Sequence, residues 1–132
     1  MIVGSQVDGA LDVTPINTAV FSGQRVVLRC HSDKGDSRFV GWNRKLVDGT
    51  TYEIVSLCTV RDTFSSVYDV NHTDTRGQCD LVINRVDTSL TGLYTCADSL
   101  LTEHHASAYL TIIGQFLTKP SYCELIISFH IR

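Results

Sequence analysis

The segment Gly92-Leu93-Tyr94-Thr95-Cys96 decides the fold of this 132-residue chain. Alternate residues of a strand share a face, so this alternation predicts that Tyr94 and Cys96 point inward together. Cys30 ends an earlier stretch in which apolar and polar residues alternate, and Trp42 occupies an inward position on the strand predicted after it. The four residues therefore predict a common core between strands.

The same alternation runs along most of the chain in short stretches, with no sustained helical period. It predicts eight or nine strands and an all-β fold. Asp48-Gly49 predicts a tight hairpin, and Pro15 predicts that the first strand is interrupted at a sheet edge. The segment from Asn71 to Gln78 is interpreted as a loop. The other predicted strands lie at Val26–Cys30, Val40–Lys45, Thr51–Val55, Phe64–Val70, Leu81–Ile83 and Ala106–Ile113.

Composition limits the class of protein. The chain is 43% hydrophobic and 19% charged with a net charge of −3, which fits one globular domain and disfavours both disorder and nucleic-acid binding. No apolar run is long enough for a membrane helix, and the first twelve residues lack the apolar core of a signal peptide. We therefore expect a mature ectodomain fragment behind a start Met, without membrane insertion.

Five cysteines, none in a spacing typical of zinc sites, favour disulfides and an oxidising compartment. The triplet Asn71-His72-Thr73 fits the N-glycosylation sequon, which predicts a glycan at Asn71. Together these features predict an extracellular protein, either secreted or on a cell surface.

Cys30, Trp42 and the Tyr94 that precedes Cys96 by two residues resemble the immunoglobulin superfamily. The resemblance implies a two-sheet Greek-key sandwich in which Cys30 on strand B bridges to Cys96 on strand F, with Trp42 of strand C packed against the sulfurs. It also implies that the Tyr94 hydroxyl bonds to backbone near Leu90. The 53 residues between Trp42 and Cys96 leave room for strands C′ and C″, so the variable type (V-set) is expected.

Two departures from the family pattern concern its antigen-receptor features. Leu90 stands where the family usually has an Asp that pairs with an arginine at the start of strand D; Asp80 and Asp87 are the alternatives for that pair. The last strand lacks the Phe-Gly-x-Gly bulge of rearranged receptors. The chain is therefore more similar to adhesion-type or invertebrate V-like domains.

The remaining cysteines and the C-terminal tail are less constrained. We predict a second disulfide between Cys58 and Cys79, which leaves Cys123 unpaired, bonded to another chain or competing for one of them. The immunoglobulin-like domain is expected to cover residues 1–113. The apolar tail 114–132 is expected to bury by strand addition and to promote a homodimer, the alternative being a disordered remnant.

Two surfaces are candidates for binding. The first is the outward side of the sheet that carries strands G, F, C and C′, where the resemblance implies pairing with another V-like domain, either a second copy or a different protein. Its candidate residues are Gly41, Asn43, Lys45, Thr95, Ala97 and Ser99, with Tyr52 as an aromatic anchor.

The second candidate surface is the end of the sandwich where the B–C, C′–C″, D–E and F–G loops converge. Histidine side chains accompanied by acidic ones are suited to pH-sensitive or metal-assisted recognition, although loops tolerate histidine without any such role. We expect no metal and no cofactor. The residues concerned are His31, His72, Glu103, and the pair His104 and His105 in the predicted F–G turn, with Asp33, Asp36 and Asp74.

No catalytic motif is present: the sequence has no nucleophile elbow, phosphate loop or zinc-protease motif, so we expect a binding protein and not an enzyme. The leading hypothesis is a recognition domain of an immune-type receptor that binds a protein or a glycan. The alternative is a structural adhesion module within a larger ectodomain.

Overall fold

A computed structural model describes residues 11–32, 39–72, 77–98 and 101–114, and for Asp12 and residues 101–103 it describes the backbone alone. These residues form strands and two short 3₁₀ turns, at Asp62–Phe64 and Thr88–Leu90. The strands are β1 (Leu11–Val13), β2 (Thr18–Phe21), β3 (Val26–Leu28), β4 (His31–Ser32), β5 (Val40–Lys45), β6 (Thr51–Ser56), β7 (Thr59–Val60), β8 (Tyr68–His72), β9 (Cys79–Ile83), β10 (Gly92–Asp98) and β11 (Leu101–Ile113).

The strands form the two layers of an all-β, immunoglobulin-like sandwich, as predicted. One layer is a six-stranded sheet in the order β2-β11-β10-β5-β6-β7. The other contains β3-β9-β8 and the pair β1-β4, which a bridge between His31 and Gln78 connects to the end of β9. The six-stranded sheet extends beyond β5 through β6 and β7.

Pro15 divides the first strand, as the sequence predicts. Before it, β1 pairs antiparallel with β4; after it, β2 pairs parallel with β11. Because proline has no N–H to donate, it separates the two pairings without leaving a buried donor unpaired. The first strand therefore contributes to both layers.

Two disulfides staple the core. Cys30 bonds to Cys96 across the sandwich, with Cα atoms 6.5 Å apart, and Cys58 bonds to Cys79 with Cα atoms 5.9 Å apart. Both predicted pairings are therefore confirmed. Trp42 lies opposite Cys96 in the pairing of β5 with β10, and its indole N–H donates to the Cys79 carbonyl at 2.8 Å.

The predicted strand at Phe64–Val70 is wrong in its first half. Residues Asp62–Phe64 form a 3₁₀ turn, and the strand begins at Tyr68 and continues through Asn71 and His72, where the sequence predicts the start of a loop. The Phe64 ring packs edge-on between Tyr52 and Tyr68, with ring centroids 6.1 Å apart in both cases. This aromatic packing holds the segment in a turn despite its strand-like composition.

Candidate binding surface

The outward side of the six-stranded sheet, here called the outer face, is built by the register of its central strands. Residues directly opposite each other in paired strands share a face, and pairing places Thr95 opposite both Asn43 and Ser107. The rows on either side of this one follow the same alternation. The outer face therefore contains Gly41, Asn43, Lys45, Thr51, Glu53, Leu93, Thr95, Ala97, His105, Ser107 and Tyr109.

Small and hydroxyl-bearing side chains make the middle of the outer face flat. The hydroxyls of Thr95 and Ser107 hydrogen bond across β10 and β11 at 2.6 Å. Gly41 is small for a packing reason, because a Cβ there would lie 2.9 Å from the Val55 carbonyl oxygen. The predicted face residues Gly41, Asn43, Lys45, Thr95 and Ala97 do lie together here, whereas Ser99 falls outside the described residues.

Tyr109 is the aromatic residue that the outer face presents, and it was missed from the sequence. It is 60% exposed and lies opposite Leu93, which in turn lies opposite Lys45. Its backbone N–H donates to the Asn17 side-chain oxygen at 2.9 Å, which fixes the strand beneath the ring. The sequence contains a signal for Tyr109, because this residue alternates with the inward residues Ala108 and Leu110.

Tyr52 does not belong to the outer face, so its prediction as the anchor is wrong. It lies opposite Arg44, whose side chain points into the sandwich, and its ring packs against Phe64. The cause is an irregularity in the pairing of β5 with β6: Trp42 opposes Val55, but Asn43 opposes Glu53, so Ile54 is an extra residue. A one-residue bulge reverses the face of everything beyond it.

The outer face carries few charged side chains. Lys45 and Glu53 both lie on it, and Glu53 forms a 2.8 Å ion pair with Arg61 at an exposed position. Screened surface pairs of this kind contribute little to stability. Neutral side chains therefore dominate the contact area around Tyr109.

Arg44 supports the sheet from the inner side. Its guanidinium donates to the backbone carbonyls of Ser89 and Thr91, the latter at 2.9 Å, and lies 6.0 Å from the centre of the Tyr94 ring. Arg44 thus ties β5 to the turn before β10. Its Nε is buried and has no hydrogen-bond partner among the described residues.

Among the described residues, neither Asp80 nor Asp87 forms the expected ion pair with an arginine at the start of strand D, which corresponds to β8. Asp87 caps the 3₁₀ turn by accepting from the Ser89 hydroxyl and, at 2.8 Å, from the Ser89 N–H, and these two hydrogen bonds lower the pKa of its carboxyl. Asp80 is buried on β9, where it accepts from the Cys30 N–H at 3.0 Å and lies 3.8 Å from Arg29 of strand B. Both carboxylates serve local structure.

A pair of tyrosines joins the layers below the outer face. The Tyr94 hydroxyl donates to the Leu90 carbonyl at 2.6 Å, in the region where the resemblance implies this bond. A phenol carries one hydrogen, so in the 2.9 Å contact between the two hydroxyls Tyr68 must be the donor. Burial is the main cause that raises the pKa of both phenols.

The histidines do not form one loop-end cluster within the described residues. His31 lies on β4 beside Arg29, which donates to its Nε2 at 3.4 Å, and His72 ends β8. His104 and His105 lie in β11, not in a turn as predicted. No group of three or more His, Cys, Asp or Glu side chains in the described part of the chain is placed to hold a metal ion. The Glu103 side chain, Asp33, Asp36 and Asp74 lie outside it.

Asn71 is exposed on β8, so the predicted glycan at this position would meet solvent. Its sequon partner Thr73, the tail 115–132 and Cys123 fall outside the described residues. Across the residues that the structure does describe, no helix is long and apolar enough to span a membrane.

Comparison with protein-family models and with curated protein sequences finds no match. The interpretation of the surface therefore depends on the fold and on the residues described above.

Proposed function

We propose that this chain is a V-set immunoglobulin domain that works outside the cell as a recognition module and binds a protein partner through its outer face. The family assignment is supported by the Cys30–Cys96 bridge, by Trp42 beside it, and by β6 and β7 extending the central sheet. The extracellular location is supported by two disulfides in a small domain.

The observation that carries the binding proposal is Tyr109, 60% exposed on a flat and nearly neutral sheet face. Protein interfaces are enriched in tyrosine at their centres, where a large ring gains contact area at a small entropy cost. Leu93 beside it extends the apolar area, while Lys45 and Asn43 provide a polar rim. This arrangement suits a protein surface of matching flatness, including a second copy of the domain.

The test is a binding screen of the purified domain against cell-surface proteins, together with sedimentation analysis of self-association. Tyr109→Ala should weaken the binding found by about tenfold or more, because hot-spot truncations cost at least this much. Asn43→Arg should weaken it as well, since the contact would have to desolvate a long charged side chain.

Tyr52→Ala is the matched control, because it removes an exposed tyrosine from the other side of the same sheet. It should leave binding unchanged. If Tyr109→Ala and Asn43→Arg both bind like the parent protein while remaining folded, the outer face is not the binding surface. A glycan array run in parallel would reveal a sugar ligand instead.

A further inference from the structure

The turn between β6 and β7 has a backbone that its residues do not favour. Ser56 pairs with Thr59, so the loop consists of Leu57 and Cys58, and their φ angles are 51° and 50°. A two-residue hairpin with positive φ at both positions is a type I′ turn, for which Asn-Gly is strongly preferred. Leucine and cysteine each cost about 1 kcal/mol or more in this region.

Two contacts hold this turn in place. The Cys58 N–H donates to the Val40 carbonyl at 2.7 Å, and the Cys58 side chain is bonded to Cys79. Cys58 therefore has a structural reason to be there. Leu57 has none, because its side chain is 56% exposed to solvent at the tip of the turn.

An unfavourable backbone that displays an apolar side chain suggests function, because local rules are broken mainly where function requires it. The groups beside the tip are neutral: the strands that it joins end in the hydroxyl residues Ser56 and Thr59. The nearest charges in the hairpin, Glu53 and Arg61, neutralise each other in an ion pair. A partner site for Leu57 should accordingly be apolar and uncharged at its centre.

The described part of the chain carries a groove whose lining is mostly apolar. The groove of about 210 Å³ lies where the first strand crosses between the layers, and Ile16 on its wall is 75% exposed. A cavity of roughly 150 Å³ is sufficient to hold benzene, so this volume admits a leucine side chain. The groove is lined by five apolar residues, by two threonines and by one charged residue: Val13, Pro15, Ile16, Val27 and Leu28, Thr14 and Thr18, and Arg29.

The tip cannot reach this groove within one molecule. The groove borders β2, one edge of the six-stranded sheet, whereas the tip lies beyond β6, four strand spacings away. At about 4.8 Å per spacing the separation is roughly 19 Å. The contact therefore has to be made between two copies.

We propose that Leu57 of one copy inserts into the groove beside Ile16 and Val27 of a second copy. The two surfaces differ and lie at opposite edges of the sheet, so the contact is heterologous and leaves one tip and one groove free at the ends. Repetition builds an open row of domains, separate from any pairing through the outer face. A contact of this size is weak in solution and gains strength when many copies share a surface.

Leu57→Asn separates this role from folding, because asparagine suits the turn better than leucine. The thermal midpoint should stay the same or rise, whereas self-association of the full chain, measured by sedimentation up to the order of 1 mM, should weaken by about tenfold or more. Val47→Asn is the matched control, since Val47 is a fully exposed apolar residue on the neighbouring hairpin turn. It should change nothing. All variants carry Asn43→Arg so that outer-face pairing is suppressed.

Mixing two variants gives the decisive result. Ile16→Asp keeps the tip and lacks the groove, and Leu57→Asn keeps the groove and lacks the tip. Each alone should remain monomeric, while the mixture should form 1:1 dimers and nothing larger. The proposal is overturned if the parent chain stays monomeric at the highest concentration, if either variant associates like the parent, or if the mixture does not dimerise. A lower thermal midpoint for Ile16→Asp with association unchanged would show that the groove is filled from within its own chain, and would also overturn it.

Discussion

The hydrogen bonds of Tyr94 and Tyr68 predict that Tyr94→Phe lowers the stability of the fold more than Tyr68→Phe does. Tyr94→Phe removes both the donor to the Leu90 carbonyl and the acceptor for the Tyr68 hydroxyl. Leaving a buried polar group without its partner costs roughly 1–3 kcal/mol. The two groups that lose a partner are the Leu90 carbonyl and the Tyr68 hydroxyl, and Arg44 lies close enough to Tyr68 to compensate in part. We therefore expect the free energy of unfolding to fall by about 2–3 kcal/mol.

Tyr68→Phe is the matched control, because Tyr94 keeps its bond to Leu90 and only one hydrogen bond is lost. The expected cost is about 1 kcal/mol. For a domain of this size, each kcal/mol lowers the thermal midpoint by roughly 4–8 °C. Calorimetry should therefore show Tyr94→Phe melting about 10 °C below the parent and Tyr68→Phe about 5 °C below it.

The pH dependence has a definite sign. Burial raises the pKa of Tyr94 in the folded state above its value in the unfolded chain, so the neutral phenol is favoured by folding. The contribution is complete below the unfolded pKa of about 10 and is lost as the pH rises beyond it. Tyr94→Phe should flatten the decline in stability above this pH. Equal midpoints for the two variants would refute the proposed direction of the hydrogen-bond chain. An unchanged alkaline slope would refute the raised pKa of Tyr94.

The remaining predictions concern one disulfide and two polar side chains that stabilise the fold. Replacing Cys58 and Cys79 together by alanine should cost about 3 kcal/mol by loop-closure entropy, seen in denaturant titration as a lower midpoint; an unchanged midpoint would mean that the hairpin is held without the bond. Arg44→Met should destabilise the fold by about 1–3 kcal/mol, since two backbone carbonyls lose a charged donor. Arg44→Lys should destabilise it less, because lysine keeps a charged donor. Asp87→Ala should lower stability by less than about 1 kcal/mol at neutral pH. Because the folded pKa of Asp87 is depressed, that difference should shrink as the pH falls below the unfolded pKa of about 4 and vanish below the lower folded pKa. A difference that does not shrink on acidification would exclude the capping carboxylate as its cause.

The layers and the core could be predicted because they follow from alternation. Val26, Leu28 and Cys30 are buried on one side of strand B, and Leu81 and Ile83 are buried on β9, as the pattern of the sequence requires. A half-buried sheet repeats every two residues, so each inward position supports the next. The hairpin predicted at Asp48-Gly49 also forms, because Gly49 supplies a positive φ of 94°.

The loop-end histidines could not be placed by the same reasoning. His104 and His105 were interpreted as turn residues, yet β11 begins at Leu101 and contains both. The pairing of β10 with β11 passes from Ala97 opposite His105 to Asp98 opposite Leu101, so residues 102–104 are extra on one strand. Such an irregularity has no composition signal, and it moves the end of a strand by several residues.

The prediction of Tyr52 as the aromatic anchor is wrong for the same reason, an irregular pairing, here between β5 and β6. If β6 followed simple alternation from the inward Val55, Tyr52 would point outward and Glu53 inward. The extra Ile54 reverses them: Glu53 reaches the outer face, and Tyr52 turns toward Phe64. A single bulge therefore removes one tyrosine from the outer face, while regular pairing of β10 with β11 near Leu93 presents Tyr109 on it. Alternation is a reliable guide to a face only within an unbroken ladder, so the residues that decide binding here depend on register that only the folded pairing defines.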